Sequence, residues 1–375
     1  MKLLTYKYND VGINGWNFSK VTFGKINLLV GTSGSGKTRF LNTLFNIGSS
    51  IADPKAGLRD GHWEMDIQIQ ENKYSWMIDV IKSESTQKPI VNKEKLIDNI
   101  KNQTVFERDN NKFFFQGKEL PKLSVDQSGL KILSDEEIIS PIIAGFSSIL
   151  RKHFSMDALI RVTEYGSLPD TFYTNVKDIS IEKILSGDFP LNLNLYLLNK
   201  YFPAYFEEIC KNFKSVFPFI ENIKIVDLRE LNKSISIPGL IPTFCIQEKG
   251  NPELIQLRDL SSGMQKVLLI LTDYYILPPE GIYLLDEYEN SLGTNAIDFL
   301  PNFLKEQDNK HQYIITSHHP YLISNIPTKN WFVFHREKKN IDIQFGNAIV
   351  DKYGKSKQDA FSQLMNDPFY FEGVK

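Results

Sequence analysis

Two cysteines in 375 residues, Cys210 and Cys245, are too few for a disulfide framework and stand at no metal-ligand spacing. They fit a reducing compartment, and the cytoplasm is the expected location. Charge of one sign is also scarce: 43 Lys and Arg against 45 Asp and Glu leave a formal net charge of −2. A chain so balanced is no general polyanion binder, so any nucleic-acid contact must come from a local basic patch. No stretch approaches the roughly 18 uninterrupted apolar residues of a membrane span, and MKLLTYKYNDVG at the start lacks the apolar core of a signal peptide. A membrane partner is not expected. Sustained heptads are missing between residues 60 and 255, which excludes a long coiled coil there.

What is present suits a large globular core. The hydrophobic content is 42%, with 26 Phe and 16 Tyr, and the length fits one large composite domain or two modest ones.

The most specific stretch is LVGTSGSGKT, residues 29 to 38, behind the apolar run INLLV at 26 to 30. Gly31, Ser33, Gly34, Ser35, Gly36, Lys37 and Thr38 fall within or complete G-x-x-x-x-G-K-[ST], and Arg39 follows. Glycines let the backbone take positive φ and turn its N–H groups inward, forming a nest for phosphate oxygens. Lys37 then places an ammonium at the β- and γ-phosphates, and Thr38 offers a hydroxyl to Mg²⁺. KTRFLNTLFNI, residues 37 to 47, carries Phe40, Leu41, Leu44 and Phe45 at helical spacing, so a helix points its positive end at the anion. An ordinary Gly/Ser surface turn is the alternative. The strand before and the helix after favour a nucleoside triphosphate.

Three later stretches narrow the class. GIYLLDEYEN, residues 281 to 290, is an apolar strand ending in Asp286-Glu287, a carboxylate for Mg²⁺ and one to orient or deprotonate an attacking water. LSSGMQK, residues 260 to 266, opens the helix MQKVLLILTDYYIL with Ser261, Ser262 and Gly263, which taken alone is a good N-cap. YIITSHHP, residues 313 to 320, is another apolar strand, with His318 at its tip. A lone histidine there is more often structural than a phosphate contact.

In that order the four stretches resemble the Walker A, signature, Walker B and switch-histidine motifs of ATP-binding-cassette (ABC) ATPases. KINLLVGTSGSGKT and LLDEYENSL are further similar to the strand-plus-loop and "DEPENxLHP" element of the SMC-like and OLD-like (overcoming lysogenization defect) branch, with Tyr288 in place of the usual Pro and Gly293 where a His is common. The resemblance implies an AAA family ATP-binding protein without a Toprim nuclease domain, since no Toprim acid cluster follows His318. It implies ATP and Mg²⁺ as ligands, with phosphate contacts from the loop, Mg²⁺ at Thr38 and Asp286, Glu287 as general base and His318 on the γ-phosphate. Ser261, Ser262 and Gly263 would reach a nucleotide held by a second copy. That implies a homodimer with ATP sandwiched at the seam, where Glu289, Asn290 and Ser291 would also lie. The metal-sensing glutamine is assigned by position to Gln127, with Gln68, Gln70 and Gln116 competing.

The layout also resembles that branch, which implies an α/β fold class: a P-loop ABC-type ATPase lobe, with a mixed sheet and an antiparallel β subdomain, plus an inserted helical lobe. Residues 1–130 and 255–375 are assigned to the nucleotide-binding lobe and 131–254 to the insertion. HWEMDIQIQ (62 to 70) with KYSWMIDVIK (73 to 82), VFERD with KFFFQG, TFCIQEK with ELIQL, and WFVFHREKKNIDIQFG read as hairpins. Ser134 to Glu137 reads as a capping box in a helical part, Pro141 sits where a helix restarts or kinks, and Pro203 suits a first helical position. The polar segment 83–130 reads as a recognition surface or a loose loop.

The leading expectation is an ATP-driven switch that regulates a separate effector, a nuclease encoded nearby, in bacterial anti-phage defence. The second is a DNA-repair or chromosome-maintenance ATPase. For it the mixed charges of His335 to Lys339 are a weak footprint, better read as a solvated hairpin tip. The third, an energising subunit of a membrane transporter, fits the long insertion least.

Overall fold

The computed structural model describes residues 1–11, 15–109, 112–151, 179–186, 189–234, 240–293, 296–304, 310–350 and 357–374. The chain divides into two compact units. One holds Met1–Arg151, Pro279–Tyr288 and Gln307–Lys375, the other Lys152–Pro278 and Glu289–Glu306.

The first unit is mixed α/β. Its chain order begins β1 (Lys2–Asn9), β2 (Asn17–Thr22), β3 (Ile26–Val30), helix α1 (Lys37–Ala52), β4 (Gly61–Ile69) and β5 (Asn72–Lys82). Then come β6 (Pro89–Asp98), β7 (Gln103–Asp109), β8 (Lys112–Phe115), β9 (Lys118–Leu120) and β10 (Ile149–Arg151). After the second unit's β11 (Ile220–Asp227), β12 (Pro242–Glu248) and β13 (Leu254–Gln256), the chain returns with β14 (Ile282–Leu285), β15 (Gln312–Thr316), β16 (Trp331–Glu337) and β17 (Asn340–Phe345).

Among the described residues one 14-stranded sheet runs β10-β14-β15-β3-β16-β17-β2-β1-β4-β5-β6-β7-β8-β9. From β10 to β16 neighbours are parallel; from β1 through β9 they form an antiparallel meander. The sequences explain the division. IYLL of β14 and QYIIT of β15 are buried at every position, as strands covered on both faces must be. HWEMDIQI of β4 alternates buried and half-buried, the period of a sheet with one wet face. Helix α1 buries Phe40, Leu41, Leu44, Ile47 and Ile51, and the Phe40 ring meets Tyr6, Phe18 and Phe334 edge-on at 5.1, 5.4 and 5.5 Å.

Within the segment 83–130, strands β6 to β9 belong to this meander. Strand β6 escaped the sequence reading because its buried face carries Glu94 and Asp98 beside Val91 and Leu96, so no apolar alternation shows. Glu94 accepts from Trp76 Nε1 at 3.0 Å and from the Gly129 N–H at 2.5 Å. Burial nevertheless pushes its carboxyl up to about 7, because the medium that excludes water disfavours the charge more than these donors favour it. The capping-box expectation at Ser134 is corrected: residues 134–137 are turns, and the helix runs Ser140–Ser147 with Pro141 in its first turn. A helix begun at Ser134 would need an N–H from residue 141 for the carbonyl of Glu137, which proline lacks.

The second unit combines helices at Ile181–Ser186, Leu191–Tyr201, Pro203–Val216 and Ser262–Ile276 with the antiparallel sheet β11-β12-β13. Pro203 stands in the first turn of its helix, and β12 pairs β13 as the hairpin pattern requires. The helix Ser262–Ile276 is buried at every position from Gly263 to Asp273, so it must be surrounded. It packs within this unit, in a core with Leu195, Leu198, Ile209 and Phe213. The helix that follows the signature-like turn therefore groups with the inserted segment rather than with residues 1–130. Among the described residues no helix is long and apolar enough to cross a membrane.

Candidate nucleotide site

Register places the site. Leu28 on β3, Ile315 on β15 and Leu285 on β14 stand side by side, so the carboxyl ends of three parallel strands release Gly31, Ser317 and Asp286 at one edge of the sheet. That edge is where open parallel sheets bind ligands.

The loop Gly31–Gly36 wraps back to start α1. Gly34 and Gly36 take φ of 80° and 107°, which side chains resist. A Cβ on Gly36 would lie 2.8 Å from the Trp16 ring, so space as well as conformation demands glycine there. Helix α1 has no side-chain cap, and its first N–H groups remain for an acceptor outside the helix. The Lys37 ammonium is 2.7 Å from the Gly31 carbonyl, 3.0 Å from that of Thr32 and 3.5 Å from Ser35 Oγ. Lys37 is 6% exposed, so its charge is held at the mouth of the loop where solvent screens it weakly.

Asp286 is tied down at both oxygens. Its Oδ1 accepts from Thr316 Oγ1 at 2.7 Å and from Thr38 Oγ1 at 3.1 Å. Its Oδ2 pairs with Arg151 Nη2 at 2.9 Å. Thr316 Oγ1 also accepts the Glu287 N–H at 2.7 Å, and Glu287 itself takes φ of 45°. Positive φ at a residue with a long side chain is uncommon and costs on the order of 1 kcal/mol, a strain that concentrates at functional sites. Here it leaves Glu287 exposed while Tyr288, the replacement for proline, is fully buried.

A cleft of about 830 Å³ collects these groups. Ser33, Gly34, Gly36, Lys37, Thr38, Arg39, Glu287 and His318 line it, as do Thr316 and Trp16. Gly31 and Ser35 reach it through Lys37, and Asp286 through Thr38 and Thr316. Pattern reading missed Trp16, Asp10, Asn42, Arg59 and Arg151. The guanidinium groups of Arg39 and Arg336 each lie 4.8 Å from the Trp16 ring, and Arg39 pairs with Asp10 at 2.7 Å. No sequence signal marks these residues, since they come from separate strand ends, loops and the middle of α1.

Gln127 stands apart. It is exposed, its backbone carbonyl accepts from Arg108 Nη1 at 3.0 Å, and it does not line the cleft. Gln70 and Gln116 occupy positive-φ turn positions, and Gln68 donates to the Gln70 carbonyl; none of them lines the cleft either. The signature-like residues lie in the second unit. Ser261 caps its helix, accepting from the Met264 N–H at 3.3 Å. Lys266 Nζ donates to the Asn290 carbonyl at 2.7 Å, and a Cβ on Gly263 would come within 2.9 Å of the Ser291 carbonyl oxygen. The turn at Ser261 and the segment Glu289–Ser291 are thus packed against each other.

Comparison with known proteins bears on the later motifs. Residues 160–324 match a family model described as "AAA domain, putative AbiEii toxin, Type IV TA system". That span includes the signature-like turn, Asp286-Glu287 and His318, while the phosphate loop precedes it. Loop geometry and family match together give a nucleotide-binding ATPase fold of the P-loop kind. No curated protein matches the chain in sequence. Among solved structures, an Smc head bound to the C-terminal winged-helix domain of ScpA is 14% identical, with 92% of this chain and 98% of that one covered at a TM-score of 0.44. The SMC head domain of Thermotoga maritima is 13% identical, with 92% and 99% covered at 0.39. An Smc head with an extended coiled coil, bound to the C-terminal domain of ScpA from Pyrococcus furiosus, is 12% identical, with 91% and 95% covered at 0.46.

The residues present fit a magnesium nucleotide. Among the described residues no three His, Cys, Asp or Glu side chains gather as a metal cage. A hard cation would therefore take oxygens from Thr38 and Asp286 and the rest from phosphate and water, the manner in which Mg²⁺ is usually held. Cys210 and Cys245 are free, and burial pushes their thiols up to about 12 and about 11, which keeps both protonated and unreactive.

Proposed function

We propose that the chain is a cytoplasmic ATPase that binds ATP at the Lys37 loop, hydrolyses it and uses the two states as a switch. The observation that carries this reading is the convergence of Lys37, Thr38, Glu287 and His318 on one cleft, with Asp286 hydrogen-bonded to Thr38. Bound Mg²⁺ would supply charge neutralisation on the phosphates. Lys37 and the N-terminal N–H groups of α1 hold the β- and γ-phosphates. Glu287, exposed on a strained backbone beside Thr316, orients and deprotonates the attacking water, and His318 contacts the γ-phosphate.

In this reading Ser261, Ser262 and Gly263 act in trans. A helix N-terminus with an exposed hydroxyl suits a γ-phosphate presented by a second copy, which makes the ATP-bound form a homodimer. The finer role is control of a separate effector, a nuclease encoded nearby, in anti-phage defence. The description of the matched family, a putative toxin of a type IV toxin–antitoxin system, is in line with a partner-regulated activity.

The test is Glu287→Gln. ATP binding should persist, turnover should fall by roughly 100-fold or more, and light scattering after size exclusion should show a dimer with ATP and Mg²⁺. Normal turnover would remove Glu287 from the mechanism. Failure to dimerise in this variant would remove the trans role of Ser261. Steep salt-dependent DNA binding with DNA-stimulated turnover would instead favour the repair reading.

A further inference from the structure

Arg151 belongs to none of the nucleotide motifs, yet it is a deeply buried charge paired with Asp286. Its side chain is 2% exposed and that of Asp286 16%, so water screens their pairing weakly. The position follows from the sheet: Arg151 ends β10, in register with Leu284 of the parallel β14, two residues short of Asp286. Its guanidinium forks, with Nη2 on Asp286 Oδ2 at 2.9 Å and Nη1 on the Asn42 side chain from α1. The planar arginine fork presents a separate nitrogen to each partner, which a single ammonium does not. Thr38 and Thr316 both bond to the opposite oxygen, Oδ1.

We propose that Arg151 is a positioning residue that makes the cation site conditional on nucleotide. By neutralising Asp286 from the Oδ2 side it leaves one oxygen, Oδ1, facing Thr38, and it removes the net negative charge that would attract a divalent cation on its own. Phosphate oxygens restore that charge when nucleotide enters, so cation and nucleotide bind as a pair. The same guanidinium weakens the repulsion between Asp286 and incoming phosphate. This rests on the nucleotide-site reading above, and it requires two shifts of opposite sign when Arg151 is neutralised. Free cation should bind more tightly, and metal-free ATP more weakly. Simple loss of packing would weaken both.

The experiment uses the full chain with Mn²⁺ as the probe, its binding followed by electron paramagnetic resonance without nucleotide, and a fluorescent ATP analogue titrated in EDTA. Arg151→Met should raise Mn²⁺ affinity roughly tenfold, about 1.4 kcal/mol, and lower metal-free analogue affinity by a similar factor. Arg151→Lys, which keeps the charge, should stay within roughly threefold of the parent for Mn²⁺, about 0.7 kcal/mol. Adding Asp286→Asn to Arg151→Met should abolish the gain. If Arg151→Met loses its circular-dichroism signal, Arg151→Gln decides: it removes the charge but keeps a hydrogen-bond donor, and Mn²⁺ affinity should rise in the same sense. Unchanged or weaker Mn²⁺ binding in the folded variants overturns the proposal. The nucleotide reading fails separately, if the parent chain takes no analogue even with Mg²⁺.

Discussion

Replacing Gly36 with alanine separates the two constraints at the start of α1. Its φ of 107° and ψ of 5° lie well beyond the left-handed helical region near 57° that other residues tolerate. Adopting it costs an L-residue roughly 1–3 kcal/mol. The new Cβ would then sit 2.8 Å from one Trp16 ring carbon and 3.2 Å from another. That ring cannot retreat freely, because Arg39 and Arg336 both lie against it, the first tied to Asp10 and the second donating to the Gly34 carbonyl at 2.9 Å. Crowding of this kind typically adds about 1–3 kcal/mol, for a total near 3–4 kcal/mol. Gly34→Ala is the control: φ is 80°, and nothing lies within 4 Å of the added Cβ, so only the conformational part, about 1 kcal/mol, remains. Trp16, Trp63, Trp76 and Trp331 are the four tryptophans and all belong to the first unit, so urea titration followed by tryptophan emission reads that unit. Gly36→Ala should cost about 2 kcal/mol more than Gly34→Ala, and Trp16→Ala should recover about 1 kcal/mol of it in a double-mutant cycle. Equal costs for the two glycines, or no coupling to Trp16, would refute the steric argument.

Lys37→Ala should weaken ATP binding by roughly 100-fold, measured by calorimetry, since hydrogen bonds to a charged donor are worth about 1.5–3 kcal/mol. Phe40→Ala should destabilise the first unit by about 3–5 kcal/mol in the same urea assay, because the ring is fully buried among Tyr6, Phe18 and Phe334. Glu94 gives a pH dependence of defined sign. Its folded value of about 7 lies above the unfolded value near 4.5, so the native chain keeps a proton that the unfolded chain releases. Stability therefore falls as pH rises through that window, by up to about 3 kcal/mol, and levels off above it. Glu94→Gln should flatten that decline; a slope identical to the parent's would mean that Glu94 does not hold the proton.

Periodicity and turn chemistry reached far into this fold. INLLV became β3, and the hairpins at 62–82, 242–256 and 331–345 pair as their alternation requires, because side chains on a pleated sheet report burial every second residue. Strand β6 was illegible because Glu94 and Asp98 occupy its buried face, and only neighbouring strands supply the donors that make this tolerable. The capping pattern at Ser134 opens no helix, and the helix begins instead where Pro141 was read as a restart, since proline fits a first turn and not an interior. Strand β11 lacked a clean alternation, its exposed Glu221, Asn222 and Lys224 interrupting the apolar positions.

For the site, the sequence alone picked out most of the motif residues that gather at the cleft. Glycines at fixed spacing before a lysine and threonine, and an acidic pair after an apolar strand, are local chemistry written in local order. Tertiary structure decided the rest. The parallel register of β10 on β14 brings Arg151 to Asp286, and the turn after β14 gives Glu287 its strained backbone. Trp16 is set against Gly36 by the same long-range packing. Those contacts join residues tens to hundreds of positions apart, and no periodicity encodes a distance of that kind.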